Sequence, residues 1–458
     1  MTTYKTVNPA NGTTVKEFDT LDAQGVERAL SSVHSGYQTW RITSPQHRAE
    51  TLHRVAEIYT ERADELARSI SLEMGKPVRE AKGEVQLTAA IYQYYADNGP
   101  GLLEEERLDV PGAEESVVQR KPVGALVGVM PWNFPYYQVA RFAAPNLMLG
   151  NTVLLKHAPN CPQSALLMEE IFHQAGLPTD AYINIFATNE QIADIIADPR
   201  IQGVSLTGSE RAGTSVAETA GRNLKKVVLE LGGSDVFIVL DTDDIDATVK
   251  SATRARLSNA GQACNAAKRI LVTEPYYDEF VAKLTESFAK TTTGDPLDEN
   301  TKLGPLSSQT AADNLVEQID DAVAKGATLH TGGKKVDGPG AYVEPTLLTG
   351  VTPDMRAYSE ELFGPAGVVY KVKDAEEAVA LANESAFGLS GSVWSTDLDN
   401  ARLVAEQLDV GMAFVNEHGT TLPGLPFGGV KRSGIGRELG PWGMDEFVNK
   451  KLVRISKK

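Results

Sequence analysis

Cys264 lies in the segment NAGQACNAAKR and is one of 2 cysteines in the chain, the other being Cys161. Small residues on its N-terminal side allow a close backbone approach and leave the sulfur accessible, which favours a nucleophile over a packed small hydrophobe. A free thiol has a pKa of about 8.5, so a nearby group must activate it at neutral pH. The backbone N–H of Asn265, at the next position, offers a donor to an oxyanion.

A carboxylate and an amide each come at the end of an apolar, strand-like run or directly after it. In a parallel sheet, the carboxyl ends of the strands form the edge where ligands bind. Glu230 ends the run in LELGGSD, shortly before two glycines, which places a candidate base at this edge; a surface carboxylate or a helix cap is the alternative that position alone leaves open. Asn133 in MPWNFP is bracketed by Pro131 and Pro135, which hold the turn. Such an amide can contribute on the order of 3–4 kcal/mol as an oxyanion donor, although a plain turn residue is the simpler alternative.

The sequence also contains a phosphate-binding pattern, but not the usual one. No GxGxxG follows any predicted strand, so the common dinucleotide fingerprint is absent. LTGSERAG instead places Gly208, Ser209 and Gly213 at a strand-to-helix junction, where free N–H groups and the helix dipole favour a pyrophosphate. Lys156 ends the strand-like run NTVLLK and is placed to reach ribose hydroxyls.

The elements that must position these residues indicate an α/β protein. Residues 21–100 have helical spacing, and strands alternate with helices through the following hundred residues, as in a parallel sheet covered on both faces. A second α/β series extends from 235 to 416. We predict a Rossmann-like dinucleotide-binding domain (1–104 and 123–232), a second α/β catalytic domain (233–430), and a small β arm with a C-terminal strand (105–122 and 431–458). The arm and the final strand either pair between subunits or form a surface hairpin.

Composition excludes several function classes. The 458 residues carry a formal charge of −17 from 61 acidic and 44 basic side chains, which argues against nucleic-acid or membrane binding. The N-terminus lacks an apolar signal-peptide run, and no stretch reaches the roughly 18 apolar residues of a membrane-spanning helix. With 2 cysteines a disulfide framework is excluded, which fits a cytoplasmic location. The 7 histidines show no HExxH spacing, so we expect no metal site.

Together the motifs resemble those of the aldehyde dehydrogenase superfamily over essentially the whole chain. The matching segments, in order, are PWNFP, LLKHAPN, LTGSERAG, LELGGSD, GQACNAAKR, EELFGPA, NESAFGLSGSVWS and LPFGGVKRSGIGREL. The resemblance implies that Cys264 attacks an aldehyde carbonyl, with Asn133 and the backbone N–H of Cys264 stabilising the oxyanion. Glu230 would activate the water that hydrolyses the resulting thioester. The resemblance also implies a homodimer or homotetramer.

The same resemblance implies NAD+ or NADP+ as the hydride acceptor. Lys156 would bind the adenosine ribose, and Glu361 and Phe363 would fix the nicotinamide ribose and ring. The other residues expected to border the cofactor are Trp132, Gly208, Ser209, Gly213 and Leu231. Members that prefer NAD+ often carry a glutamate three residues after the lysine, and Pro159 occupies that position here, so NADP+ is favoured. We interpret the flanking Cys161 and His157 as packing residues.

Within this superfamily, the sequence most resembles the bacterial succinate-semialdehyde dehydrogenases. This resemblance implies a substrate with a carboxylate. Arg141, eight residues after Asn133, is where that subgroup binds the carboxylate, and a guanidinium suits it by bidentate contact. The alternative is a surface or intersubunit arginine. Thr421, in the loop before LPFGG, is a second possible contact. The loop NEHGTTLPGLPFGG also leaves another short aliphatic or aromatic aldehyde open.

Two other functions compete with this interpretation. A thiol hydrolase using Cys264 with His418 as its base would explain the cysteine, but not Glu230, Lys156 or the cofactor-type sheet. A catalytically silent member of the family is disfavoured because all three core residues are present.

Overall fold

The computed structural model describes residues 3–457. Its first half starts with a β-hairpin and four helices, continues into a two-stranded arm, and then alternates strands with helices. The elements are β1 Tyr4–Val7, β2 Thr14–Phe18, α1 Ala23–Trp40, α2 Pro45–Glu61, α3 Ala63–Met74, α4 Val78–Leu102, β3 Glu106–Arg107, β4 Ala113–Pro122, β5 Ala125–Val129, α5 Pro135–Leu149, β6 Thr152–Lys156, α6 Pro162–Gln174, β7 Tyr182–Asn184, α7 Asn189–Ala197, β8 Ile201–Thr207, α8 Glu210–Arg222 and β9 Lys226–Glu230.

The second half is a further α/β series that ends in short strands, one helix and a long final strand. The elements are β10 Asp235–Val239, α9 Ile245–Leu257, a 3-10 turn Ser258–Gly261, β11 Ala267–Thr273, α10 Glu274–Ala289, α11 Gln309–Ala324, β12 Thr328–Thr331, β13 Thr346–Thr349, α12 Arg356–Ser359, β14 Ala366–Val372, α13 Ala375–Asn383, β15 Phe387–Gly388, β16 Ser390–Trp394, α14 Leu398–Glu406, β17 Met412–Val415, β18 Val430–Lys431, β19 Gly434–Ile435, α15 Gly440–Asp445 and β20 Val448–Ser456.

Two large sheets carry the fold, and both are mostly parallel. The first has the order β19-β9-β8-β5-β6-β7, in which only β19 is antiparallel to its neighbour. The second has the order β12-β13-β14-β11-β10-β16-β17, in which only β12 is antiparallel. Every residue of β6, β10 and β11 is buried, as expected for apolar strands covered on both faces. The predicted α/β class is confirmed.

Local signals in the sequence mark the ends of some helices. Helix α5 spans 135–149 and begins with a proline, and Pro162 begins α6 as its first residue. Gly176, with φ of 89°, lies just past the end of α6 and supplies the left-handed conformation that stops it. Residues 21–100 are helical as predicted, with breaks between α1, α2, α3 and α4.

The arm and the C-terminal segment pair within the chain. β20 runs antiparallel to β4 from Val448–Pro122 to Ser456–Ala113, and β3 is the third strand of this sheet. The same segment reaches the first sheet, because β19 places Gly434 opposite Glu230 on β9. The C-terminal segment therefore supports the strand that carries the predicted base.

Candidate active site

Cys264 lies in a tight turn that leads into β11. The turn is reached through residues with left-handed backbone: Asn259 and Ala260 have φ of 54° and 52°, and Gly261 has φ of 72°. A Cβ on Gly233 would stand 2.5 Å from the Cys264 carbonyl oxygen. The second glycine of LELGGSD therefore lets the loop after β9 pack against the backbone of the nucleophile. Cys264 itself is partly exposed.

The electrostatic surroundings of the thiol oppose its ionisation. Burial raises the pKa of Cys264 to about 12, while the positive charges of Arg141 and Lys268 act in the opposite direction. The carboxylates of Glu361 and Asp235 add to the rise. At neutral pH the thiol is therefore held protonated, and an acceptor must take its proton as the sulfur attacks.

Asn133 is brought directly to the cysteine loop. Its side-chain Nδ2 donates to the backbone carbonyl of Gln262 at 3.1 Å, two residues before Cys264, and the residue is only 5% exposed. Its own backbone carbonyl accepts from Lys76 Nζ and from Asn259 Nδ2, each at 2.9 Å. The amide is thus fixed from both sides, as an oxyanion donor must be.

A buried ion pair supports this turn and was not predicted from the sequence. Lys76 pairs with Glu84, and both side chains are 1% exposed. Glu84 Oε1 accepts from the backbone N–H groups of Tyr136 and Tyr137 at 3.0 and 3.3 Å, so it caps the start of α5. Lys76 lies just before α4 and Glu84 lies within it, with three other charged residues between them, so the sequence contains no signal that singles out this pair.

Glu230 ends β9 with its carboxylate inside the protein. The residue is 2% exposed, and neither carboxylate oxygen has a hydrogen-bond partner among residues 3–457. Burial raises the pKa of Glu230 well above its usual range, the nearby Glu438 adds to the rise, and Arg141 opposes it. A Cβ on Gly428 would lie 2.6 Å from Glu230 Oε1, so this glycine makes room for the carboxylate. A poorly solvated carboxyl of this kind suits proton transfer near neutral pH.

Arg141 is fully buried, which rules out the surface arginine considered above. Its guanidinium stacks between the rings of Phe427 and Tyr137, at 4.1 and 4.8 Å from their centroids. Nε lies 2.8 Å from Glu438 Oε2, and Nη1 donates to the Tyr137 hydroxyl at 3.2 Å. Nη2 has no hydrogen-bond partner in the described chain. The charge of Arg141 lowers the pKa values of both Cys264 and Glu230, so an anion held at Nη2 would weaken this effect on the same two groups.

Thr421 joins the same group through Tyr137. The Tyr137 hydroxyl accepts from Arg141 Nη1 at 3.2 Å, and the Thr421 side chain lies near enough to oppose the rise that burial causes in the pKa of Tyr137. The two predicted substrate contacts are therefore brought together by a tyrosine, although they lie on α5 and on the loop that follows β17.

The residues predicted for the nicotinamide end of the cofactor also converge. The rings of Trp132 and Phe363 meet edge to face with their centroids 5.7 Å apart. Glu361 Oε1 accepts from the backbone N–H of Gly233 at 3.1 Å and lies 2.9 Å from Lys268 Nζ. A Cβ on Gly232 would stand 2.4 Å from the other Glu361 oxygen, so both glycines of LELGGSD have a close neighbour.

The residues predicted for the adenosine end lie at the carboxyl ends of β6 and β8. Lys156 is 7% exposed, burial lowers its pKa to about 8, and no acidic side chain of the described residues pairs with it. Ser209 caps α8 by accepting from the N–H of Ala212 at 3.3 Å, and a Cβ on Gly213 would collide with Leu231 at 2.6 Å. An unpaired, buried ammonium and a helix N-terminus at the same edge of the sheet fit an anionic, hydroxyl-rich ligand.

Four neighbouring residues complete this edge. The Gly208 N–H donates to the Glu230 carbonyl at 2.9 Å, which ties the phosphate-binding loop to the strand of the predicted base. Pro159 is half-buried and its carbonyl accepts from Lys5 N at 2.9 Å. Cys161 and His157 are both fully buried, which confirms them as packing residues.

His418 is not arranged to serve Cys264. Its Nε2 contacts the Asn265 carbonyl at 2.8 Å and its Nδ1 contacts Ser392 Oγ at 2.9 Å, so both ring nitrogens are occupied. Burial lowers its pKa to about 4. These contacts give no support to a cysteine–histidine hydrolase.

Within residues 3–457, no helix combines the length and apolar character needed to cross a membrane. In that same range, no three histidine, cysteine or acidic side chains group as a metal site.

Comparison with known proteins sets this geometry in context. The model of the aldehyde dehydrogenase family matches residues 1–453. A succinate-semialdehyde dehydrogenase (NADP+) of Deinococcus radiodurans is 56% identical over 451 residues, covering 98% of this chain and 94% of that protein. A similarly named Mycobacterium ulcerans protein is 43% identical, covering 98% and 99%. The crystal structure of succinic semialdehyde dehydrogenase from Streptococcus pyogenes in complex with NADP+ matches with a TM-score of 0.97 at 43% identity, covering 99% and 100%. The chain belongs to the aldehyde dehydrogenase family.

Proposed function

We propose that this protein oxidises succinate semialdehyde to succinate with NADP+ as hydride acceptor. One aldehyde, one water and one NADP+ give one carboxylate, one NADPH and two protons. The observation that carries the proposal is the hydrogen bond from Asn133 Nδ2 to the Gln262 carbonyl, which joins an amide donor to the cysteine loop across 129 residues of sequence.

Three groups of the protein take part in the chemical steps: the Cys264 thiol, the oxyanion donors and the Glu230 carboxylate. The Cys264 sulfur adds to the aldehyde carbon, and the carbonyl oxygen becomes an oxyanion that accepts from Asn133 Nδ2 and the backbone N–H of Cys264. The bound NADP+ supplies the acceptor for the hydride, which leaves a thioester on Cys264. Glu230 then takes a proton from the water that attacks the thioester, and the sulfur leaves with the pair of electrons of the broken bond.

The raised pKa of Glu230 suits this step. A carboxylate with few hydrogen-bond partners binds a proton more strongly than a solvated one, so it is a stronger base. The same carboxylate is available to take the thiol proton, since burial keeps Cys264 protonated.

We assign the substrate carboxylate to Arg141. Its unpartnered Nη2 supplies a buried donor, and a charged acceptor would complete the guanidinium's hydrogen bonding. Thr421 adds a second contact through its place beside the Tyr137 hydroxyl. Another short aldehyde is the alternative substrate, and it would leave this donor unused.

We assign NADP+ to the edge formed by Lys156 and α8. Lys156 would bind the adenosine ribose and its phosphate, Ser209 and Gly208 would border the pyrophosphate, and Glu361 would hold the nicotinamide ribose. Pro159 contributes no negative charge that would repel a 2′-phosphate. The named Deinococcus and Streptococcus relatives support the same cofactor.

We further propose the division of labour expected from the sequence: cofactor binding by 1–104 and 123–232, catalysis by 233–430, and self-association through 105–122 and 431–458. The C-terminal strand β20 exposes apolar side chains, including Leu452 at 59% and Ile455 at 46%, which supports an oligomeric interface. Light scattering of the purified protein tests the proposed self-association, and a monomer at micromolar concentration would contradict it.

We also propose that the protein acts in the cytoplasm. Both cysteines are free, which supports this location.

A kinetic panel tests the proposed reaction. Succinate semialdehyde, butanal and benzaldehyde are each assayed with NADP+ and NAD+ by the absorbance of the reduced cofactor. We expect kcat/KM to be highest for succinate semialdehyde with NADP+, by about tenfold or more, which corresponds to ~1.4 kcal/mol of selectivity. Equal values for butanal would remove the substrate assignment, and no reduced cofactor with any aldehyde would remove the reaction.

A further inference from the structure

Lys268 is a buried lysine that takes no part in the proposed chemical steps. It lies near the start of β11, four residues after Cys264, and is 1% exposed. Its ammonium donates to the carbonyl oxygens of Ala263 and Cys264 at 2.8 and 2.7 Å, and lies 2.9 Å from Glu361 Oε1. An ammonium has three N–H donors, so these three acceptors use its full hydrogen-bonding capacity.

The two carbonyl contacts fix the orientation of two peptide groups. A trans peptide is planar, and its N–H points away from its C=O. The Ala263 carbonyl shares a peptide with the N–H of Cys264, and the Cys264 carbonyl shares one with the N–H of Asn265. Because Lys268 holds both oxygens on one side, both N–H groups face the other side. Neither N–H donates to another group of residues 3–457.

We propose that Lys268 is a positioning residue that presets the backbone N–H of Cys264 as an oxyanion donor. A flexible turn of small residues would otherwise sample several peptide orientations, and an oxyanion donor is effective only when its direction is fixed in advance. The inference rests on the proposed function, because it assigns Lys268 to the oxyanion site of that reaction.

Lys268 also ties this donor to the rest of the site. Glu361 Oε1 accepts from the Gly233 N–H at 3.1 Å as well as facing the ammonium, so the loops after β9, before β11 and before β14 meet at one ion pair. The positive charge of Lys268 lowers the pKa values of Asp235, Cys264 and His418, and Glu361 is its direct counter-ion. The ion pair offsets the cost of burying the ammonium, and the carbonyl contacts use its remaining donors.

Hydrolysis of p-nitrophenyl acetate isolates the oxyanion step, because the ester uses Cys264 and the same donors but needs no hydride acceptor. For Lys268→Met we expect kcat for the ester to fall about 100-fold, the loss typical of removing one oxyanion donor, with KM changed less than about threefold. Lys225→Met is the matched control, since Lys225 Nζ also donates to two carbonyl oxygens, of Asp198 and Ile201, at 3.1 and 2.6 Å, at the opposite end of the first sheet. We expect it to keep wild-type ester hydrolysis.

Two results would overturn the proposal. One is an ester kcat within about threefold of wild type in a folded Lys268→Met protein, and the other is a loss confined to KM.

A second variant keeps the test decisive if Lys268→Met does not fold. Lys268→Arg keeps the charge but replaces a compact ammonium by a planar fork that cannot meet the same three acceptors. Its ester kcat should fall by at least about tenfold, because a misdirected donor loses much of the stabilisation of a correct one; wild-type kcat in this variant would overturn the proposal. Failure of the proposed function is distinguishable, because the wild-type protein would then oxidise no aldehyde.

Discussion

Asn133 Nδ2 and the backbone carbonyl oxygen of Gln262 lie 3.1 Å apart, in a contact that is buried from solvent. Asn133 follows a strand of the first sheet, and Gln262 precedes a strand of the second. The carboxyl edge of one sheet therefore faces the amino edge of the other, with the amide donor and the sulfur nucleophile held between them.

Replacing Asn133 by alanine removes this donor. We expect kcat for succinate semialdehyde to fall about 100- to 1,000-fold, because one oxyanion donor contributes that much to acyl-transfer rates. Steady-state kinetics measures the loss. Asn98→Ala is the control, since Asn98 lies on an exposed helix face and donates only to the Tyr94 carbonyl. An Asn133→Ala enzyme with wild-type kcat would contradict the assignment.

The two cysteines allow a matched pair of variants. Cys264→Ala should abolish aldehyde oxidation and ester hydrolysis together, since both need the thiolate as nucleophile. Cys161→Ala removes a fully buried side chain and should keep both activities, with a small loss of thermal stability. Both rates and the melting temperature are measured for each variant. Retained turnover in Cys264→Ala would refute its role.

The raised pKa of Glu230 predicts a specific pH dependence. Glu230 acts as a base only when ionised, and its pKa lies well above the usual carboxylate range, so kcat should rise with pH over values where an ordinary glutamate is already ionised. In Glu230→Gln this rise should be absent, and later turnovers should slow at least about 100-fold, more than the first-turnover burst does. Glu218→Gln, on an exposed helix face, is the control. Unchanged steady-state turnover in Glu230→Gln would count against the base.

Arg141→Met should discriminate between charged and uncharged aldehydes. We expect KM for succinate semialdehyde to rise about 10- to 100-fold, from loss of a charge-assisted contact worth ~1.5–3 kcal/mol, and KM for butanal to change little. Removing Arg141 also takes away a charge that lowers the pKa of Glu230, so kcat should fall for both substrates at neutral pH. The ratio of the two KM changes is the measurement. Equal changes would remove Arg141 from the carboxylate site.

Pro159→Glu should weaken NADP+ binding. A carboxylate beside the adenosine ribose repels a 2′-phosphate but can accept from a 2′-hydroxyl, so the Kd for NADP+ should rise about tenfold or more (~1.4 kcal/mol) while the Kd for NAD+ stays level or falls. Quenching of tryptophan fluorescence reports both constants. Pro159→Gln, which changes the backbone in the same way without the charge, is the control. An unchanged preference would place the phosphate elsewhere.

Much of the site was predictable from the sequence because it depends on local features. Strand-like runs that end at Lys156, at Glu230 and shortly before Asn133 predicted one functional edge, since the carboxyl ends of parallel strands lie together. A proline at the start of α6 and a glycine just past its end are local signals of where that helix begins and ends. Cys264 could be singled out because it lies in a turn of small residues and is one of 2 cysteines.

The tertiary structure alone decided which long-range partners these residues have. In the folded chain, Arg141 is buried between two aromatic rings and pairs with Glu438. Both ring nitrogens of His418 have hydrogen-bond partners. The fold also places the Lys268 ammonium on the backbone of Cys264. Sequence periodicity reports which face of an element is apolar, but it does not report which buried charge meets which acceptor. That choice depends on how two sheets and their loops pack, where each buried polar group must find a partner or remain costly.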